Sequence, residues 1–282
     1  MRVVITRPAS EAQVWADAVQ VAGYEPVMFP LLVIERLNDV SGIHKAWHQM
    51  AENAAVMFVS GNAVNFFMQG MPKATADHAP EPLRTRAWAT GPGTRQALLA
   101  HGWPAHLIDM PALGAAQFDS EALWSVVRQQ LVPGHKVLVV RGETRAISLP
   151  AEPLQQPATG SLVAAPLEQA PSAGRDWLAQ RIVAAGATPV FCVSYWRCRP
   201  ALSAENIRFI QGAAGAGAVW LFSSSEALNN LAALFPGENW ARAFAVATHE
   251  RIAERALRAG FGTVRVARPT LADVLASIES LS

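Results

Sequence analysis

Short runs rich in β-branched and aromatic residues alternate along this chain with longer segments whose apolar positions recur at helical spacing. Val3–Thr6, a segment beginning near Pro26, Val56–Val59, Ala87–Thr90, Val137–Val140, Val190–Tyr195, Val219–Phe222, Phe244–Ala247 and Val264–Ala267 predict strands, each with a helical pattern behind it. Ser10, with Gln13 three residues on, has capping-box spacing and predicts the start of the first helix. Apolar strands separated by helices build parallel sheets covered on both faces, so the pattern predicts an α/β protein.

The pattern also returns on itself. Val3-Val4-Ile5-Thr6-Arg7 is matched by Val137-Leu138-Val139-Val140-Arg141, and Gly23-Tyr24-Glu25-Pro26-Val27 by Gly186-Ala187-Thr188-Pro189-Val190. Ala55–Ser60 is matched by Ala218–Ser223, and Arg86–Ala89 by Arg242–Ala245. Two copies of one α/β unit are expected, and the groove between two such lobes is where a small ligand is sought. The stretch from Val137 to Gly186 is much longer than its counterpart from Val3 to Gly23. Because Pro150, Pro153, Pro157, Pro166 and Pro171 fall there, Glu152–Gly174 is expected to be an irregular surface insertion.

Composition narrows the class. A chain of 282 residues has room for two domains, and 51% hydrophobic against 16% charged residues is a globular balance. With a net charge of +1 there is no basic stripe, so nucleic acid is not an expected partner. The two cysteines, Cys192 and Cys198, fit neither a redox CxxC nor a zinc knuckle, which points to reduced thiols and a cytoplasmic setting. Met1-Arg2 leads straight into a strand with no signal-peptide pattern, and the longest apolar stretch, Ala213–Phe222, is too short to span a bilayer. Neither export nor membrane insertion is expected.

In a parallel sheet the loops after the strands meet helix N-termini, whose N–H groups favour anions. Those loops here are Ser60-Gly61-Asn62, Thr90-Gly91-Pro92-Gly93-Thr94, Ser223-Ser224-Ser225 and Ala247-Thr248-His249. Arg7 and Arg141 end equivalent strands, and Arg141-Gly142-Glu143-Thr144-Arg145 adds a second guanidinium suited to carboxylates. The same residues serve equally as caps and turn formers in any such fold. His44 and His48 have the i, i+4 spacing of metal ligands, but Trp47 beside them reads as an amphipathic surface helix, and no metal site is expected. Neither GxSxG, a P-loop nor GxGxxG follows a strand, which removes serine hydrolase, NTPase and dinucleotide readings. Tyr195 is one of two tyrosines and aligns in the repeat with Leu32, so the fold's symmetry does not require a phenol there. It is either a buried structural donor or a proton donor to a ligand.

Taken in order, several motifs resemble the uroporphyrinogen-III synthase family across essentially the whole chain. They are Val4-Ile5-Thr6-Arg7-Pro8, Phe29-Pro30-Leu31-Leu32, Phe58-Val59-Ser60-Gly61-Asn62-Ala63-Val64, Ala89-Thr90-Gly91-Pro92-Gly93-Thr94 and Val139-Val140-Arg141-Gly142-Glu143. Ser194-Tyr195-Trp196-Arg197, Phe222-Ser223-Ser224-Ser225 and His249-Glu250-Arg251-Ile252-Ala253 continue the series. The resemblance implies two flavodoxin-like parallel-sheet domains joined by a two-stranded antiparallel ladder. It places one domain at 1–34 plus 201–282, the other at 38–192, and the ladder at 32–37 and 193–200. The repeat alone suggests a simple division near residue 132.

The resemblance further implies a lyase of tetrapyrrole (haem) biosynthesis that cyclises hydroxymethylbilane to uroporphyrinogen III, inverting the last ring and losing water, as a monomer and without metal or organic cofactor. Tyr195 matches the tyrosine proposed in that family to help the hydroxyl leave. Ser60, Asn62, Thr94, Arg141, Ser223 and Ser225 carry over as substrate-binding positions, joined by Arg7, Gly61, Gly142, Arg145, Ser224 and His249 from the loop reading. The chain departs from the family pattern at Ala247-Thr248-His249-Glu250, where many members have Gly-Pro followed by threonines, and at Val59, where threonine is common; His249 is expected as a cationic or hydrogen-bonding replacement. Two other readings share the duplicated plan: a two-lobed binding protein for an anionic small molecule, and a flavodoxin-like redox protein that would carry a flavin.

Overall fold

The computed structural model describes residues 1–72, 84–115, 117–145, 173–215 and 217–281. The chain opens with β1 (Arg2–Ile5), α1 (Ala9–Val21), β2 (Glu25–Met28) and β3 (Val33–Arg36). There follow α2 (Ser41–His48), β4 (Ala55–Phe58), α3 (Gly61–Gln69), β5 (Arg86–Ala89), α4 (Pro92–Ala100) and β6 (Ile108–Asp109). Next come α5 (Ser120–Val127), β7 (Lys136–Arg145), α6 (Ala173–Ala184) and β8 (Thr188–Cys198). The chain ends in α7 (Ala204–Gly215), β9 (Val219–Phe222), α8 (Ser225–Leu234), β10 (Phe244–Ala247), α9 (Glu250–Arg258), β11 (Thr263–Val266) and α10 (Leu271–Glu279). Two compact units result: Met1–Glu35 with Trp196–Ser282, and Arg36–Tyr195.

The first unit is built on a sheet of order β11-β10-β9-β1-β2 in which every pair of neighbours runs parallel. Side chains alternate between its faces, and each face has its own core. Val4, Trp220, Phe222 and Ala245 pack with Leu228, Leu231 and Ile252 from α8 and α9. Val3, Ile5, Val219, Leu221 and Val246 pack with Ala12, Ala16 and Val19 of α1 and Val274 and Ile278 of α10. Burial on both faces is why these strands read as unbroken apolar runs. Fully buried side chains such as Trp220 and Phe222 stabilise the unit by roughly 2–3 kcal/mol each.

The second unit is built on the strand order β8-β7-β4-β5-β6, part of a six-stranded sheet of order β3-β8-β7-β4-β5-β6. Met57, Trp88, Val137 and Val139 pack on one face with Leu123 and Val127 of α5 and Leu178 and Ile182 of α6. On the other face Phe58 meets Phe67 of α3 and Trp103 edge-on, with ring centroids 5.6 Å apart in both pairs. Arg86 and Asp109 bind one another through two hydrogen bonds of 2.7 and 2.6 Å, which hold the short edge strand β6 to β5.

Matching β1 with β7 and β2 with β8, as the repeat does, makes the two sheets identical in order from β2 to β11 and from β8 to β6. The pairing registers correct the residue matches. Val3 pairs with Val219 and Val137 with Ala55, so Val219, not Ala218, is the counterpart of Ala55. Phe244 faces Val219 as Arg86 faces Ala55, which puts Phe244, not Arg242, opposite Arg86 in the comparison. The N-caps follow this register: Ser60 corresponds to Ser224, and Gly91 to His249. Gly102 and Gly260, each just beyond α4 and α9, both have the left-handed φ (81° and 95°) that ends a helix most readily at glycine.

Three other expectations change. The first helix starts at Ala9 with Pro8 as N-cap, so Ser10 lies inside it and no capping box forms. The Pro8 carbonyl already accepts from the Glu11 and Ala12 N–H groups, so the helix is under way before Ser10 could cap it. Strand β6 has no counterpart among the expected strands. Of the expected insertion, residues 152–172 lie outside the described residues, while Ala173 and Gly174 open α6.

Candidate active site

In the second unit, Tyr195 lies on β8 beside β7, buried to 4% exposure. Its ring stacks on Phe66 of α3 with centroids 5.6 Å apart and covers Gly142 so closely that a methyl group at 142 would run into the ring. The phenol oxygen is 3.1 Å from the Ser60 hydroxyl. Ser60 is half-buried and caps α3, where its hydroxyl accepts from the Ala63 N–H at 3.1 Å. Ser194, next to the tyrosine, is buried and donates to the Arg141 carbonyl at 3.4 Å.

Around this pair stand the other predicted positions of the unit. Gly61 opens α3 against the next loop, where a Cβ on it would sit 3.6 Å from the Gly93 carbonyl, so the loops after β4 and β5 adjoin. Asn62 follows it, half-buried. Thr94 is buried and its hydroxyl is 3.4 Å from that of Thr90, so the side chain is spent inside the fold. Arg141 donates to Glu143 at 3.0 Å and lies 4.6 Å from the Phe191 ring centroid. Arg145, the last residue of β7, is exposed.

In the first unit, Arg7 and Ser223 join Ile5, Trp15, Phe222 and Thr248 in lining a pocket of about 10 Å³, on the order of one water. Arg7 donates to Glu11 at 2.6 Å and lies 4.5 Å from the Trp15 ring centroid. Burial holds the Arg7 guanidinium below the ordinary arginine value, with Glu11 opposing that shift. Ser224 caps α8 by accepting from the Glu226 N–H at 3.2 Å, and Ser225 is the first residue of that helix. His249 caps α9, its Nδ1 accepting from the Arg251 N–H at 3.1 Å. His249 is thus the side chain that caps α9.

The structure therefore gathers Tyr195, Ser60 and Gly142 at one place and Arg7 and Ser223 at another. Sequence reasoning missed the partners of the arginines. Arg141 and Glu143 are two apart on one strand and share a face; Arg7 and Glu11 are four apart at a helix start. Both spacings were there to be read. Phe66, Phe191 and Trp15, which the phenol and the two guanidiniums meet, had no comparable signal. Among the described residues no group of three or more His, Cys, Asp or Glu is placed to hold a metal ion, and no helix is long and apolar enough to cross a membrane.

A family model described as uroporphyrinogen-III synthase HemD matches residues 13–159, a little over half of the chain. The uroporphyrinogen-III synthase of Chlorobaculum parvum (strain DSM 263 / NCIMB 8327) is 27% identical over 150 residues, covering 52% of this chain and 56% of that protein. The chain thus spans little more than half the length of this curated relative. Among solved structures, a mutant uroporphyrinogen III synthase from the extremely thermophilic bacterium Thermus thermophilus superposes with a TM-score of 0.54 at 14% identity, covering 100% of this chain and 98% of that one. Uroporphyrinogen-III synthetase from Helicobacter pylori 26695 superposes with a TM-score of 0.54 at 15% identity, covering 100% of both chains. At such identities the likeness is one of fold.

Proposed function

This chain belongs to the uroporphyrinogen-III synthase family, and we propose that it cyclises hydroxymethylbilane, a linear tetrapyrrole with acetate and propionate side chains, to uroporphyrinogen III. The hydroxyl leaves as water, giving an azafulvene. The last ring attacks it through a substituted carbon, and the resulting spiro intermediate fragments and recloses with that ring inverted. The scheme calls on no metal and no organic cofactor. Its physical demand is to fold a flexible substrate so that the right carbon meets the electrophile, since spontaneous closure leaves the ring uninverted.

The observation that carries this reading beyond family membership is the Tyr195–Ser60 hydroxyl pair at the start of α3. Departure of a hydroxyl needs a proton, and a positioned general acid contributes roughly 10²–10⁴ in rate. Tyr195 is the proposed source of that proton. The N–H groups at the starts of α3, α8 and α9 suit the substrate's carboxylates, and Gly61, Asn62, Ser223, Ser225, Arg7, Arg141 and Arg145 are the candidate contacts around them. Both Arg7 and Arg141 already meet a glutamate, so each offers a partly neutralised guanidinium rather than a bare charge. We further read the protein as a cytoplasmic monomer. The two buried, unbridged cysteines suit a reducing compartment.

The test is to give the purified protein freshly made hydroxymethylbilane and to separate the oxidised products by chromatography. Isomer III in excess over the spontaneous isomer I is expected. Isomer I alone from folded protein would overturn the reading.

A further inference from the structure

Tyr195 presents a difficulty if it is to act alone. Its side chain is 4% exposed, one ring face is stacked on Phe66, and the ring leaves no room for a Cβ at Gly142. Among the described residues its phenol has one hydrogen-bond partner, the hydroxyl of Ser60. Of the two, Ser60 is the one only half-buried.

The hydrogen-bond inventory of Ser60 leaves room for the phenol to donate to it. A hydroxyl has one proton and two lone pairs. The Ala63 N–H takes one lone pair at 3.1 Å. If the phenol donates into the other at 3.1 Å, the Ser60 proton is left for a third partner. That partner is outside the helix, because the cap geometry has already spent the side facing α3.

We propose that Ser60, not Tyr195, is the group that hands the proton to the leaving hydroxyl, with Tyr195 refilling it from behind. The inference rests on the cyclisation reading above. In the step, the Ser60 Oγ–H bond breaks as its proton goes to the substrate hydroxyl, and the carbon–oxygen bond breaks to release water. The pyrrole π-system supplies the electron pair that replaces the one leaving with the oxygen. The phenol proton of Tyr195 moves to Ser60 Oγ at the same time, leaving a phenolate. Ring closure later expels one proton as the pyrrole regains aromaticity, and that proton returns to the phenolate. Protons and electrons balance with no outside co-reactant.

Ser60 also caps a helix, so the test must separate the two roles. Glycine is nearly as good an N-cap as serine, yet has no hydroxyl. Ser60→Gly should therefore keep the wild-type melting temperature within a few degrees while kcat falls about 10²-fold with KM little changed. Tyr195→Phe should lose a similar factor, and the double variant should be no worse than either, because one relay broken twice is still one relay. Ser60→Thr, which restores both cap and hydroxyl, should recover most of the lost kcat. The wild-type solvent deuterium effect on single-turnover water loss should reflect two protons in flight, and that signature should vanish in both single variants.

Ser60→Gly turning over at the wild-type rate while Tyr195→Phe is impaired would put the phenol in direct contact with substrate and overturn the proposal. A rise in KM alone for Ser60→Gly would make Ser60 a binding residue and overturn it equally. Failure of Ser60→Thr to recover activity in folded protein would do the same. All three are distinct from failure of the cyclisation reading, which would show as absence of isomer III with the wild-type protein.

Discussion

At the scale of single residues, the tightest constraint is the Tyr195 ring lying over Gly142. No Cβ fits there without moving the ring, and the ring is held by Phe66 on α3. Gly142→Ala is therefore expected to lower stability by roughly 1–3 kcal/mol, the usual range for overpacking, and to cut turnover by displacing the phenol from Ser60. A thermal melt with a parallel rate assay checks it, and retention of both would show that the ring relocates at no cost. Cys192 makes a second case. Burial pushes its thiol from 9.0 up to about 11. The folded thiol thus keeps its proton after the unfolded one has lost it, so this contribution to stability is present below pH 9 and disappears as pH rises towards 11. The loss should approach about 1.4 kcal/mol per pH unit, and Cys192→Ala should flatten that part of the melting curve against pH. Tyr195 was legible in the sequence because it is rare and breaks the repeat. Its setting was not, because Phe66 and Gly142 reach it only through the packing of α3 and β7.

Secondary-structure elements show the same division between local and non-local information. Unbroken apolar runs such as those of β4, β7 and β9 announce themselves because both faces are buried. β6 has only Ile108 and Asp109, too few residues for any alternation to register, and it exists through its partner. The Arg86 guanidinium grips Asp109 with two hydrogen bonds, and this raises the arginine's pKa above its ordinary value. Asp109→Asn should cost about 1 kcal/mol, given that the pair is partly exposed. Amide exchange should localise the loss: protection at Ile108 and Asp109 should fall while β4 and β7 keep theirs. Equal loosening throughout the sheet would mean that β6 is held by something other than this pair. Helix starts were legible where a side chain caps, as at Ser60 and Ser224, and misread at α1, where a proline carbonyl takes that part.

For the whole molecule, the repeat predicts two units, and the strand orders agree with that in every matched position, but sequence similarity alone does not say which strand joins which sheet. β1 resembles β7 because each occupies the same place in its own sheet, between β2 and β9 in one and between β8 and β4 in the other. The first unit is consequently assembled from both ends of the chain, Met1–Glu35 and Trp196–Ser282, while Arg36–Tyr195 is continuous. A fragment of residues 196–282 lacks β1, β2 and α1, so β9 loses its inner neighbour, and Leu221, Val246 and Val274 lose the cover of Ala12, Ala16 and Val19. That fragment should not fold by itself. Adding residues 1–35 in trans supplies the missing strands and helix, and should restore helical circular dichroism and a cooperative melt. The fragment 36–195 keeps its sheet from β8 to β6 and its own cores, and should fold unaided. A cooperative transition for 196–282 alone would show that β9, β10 and β11 with their helices are already sufficient, and that β1 adds to a core it does not create.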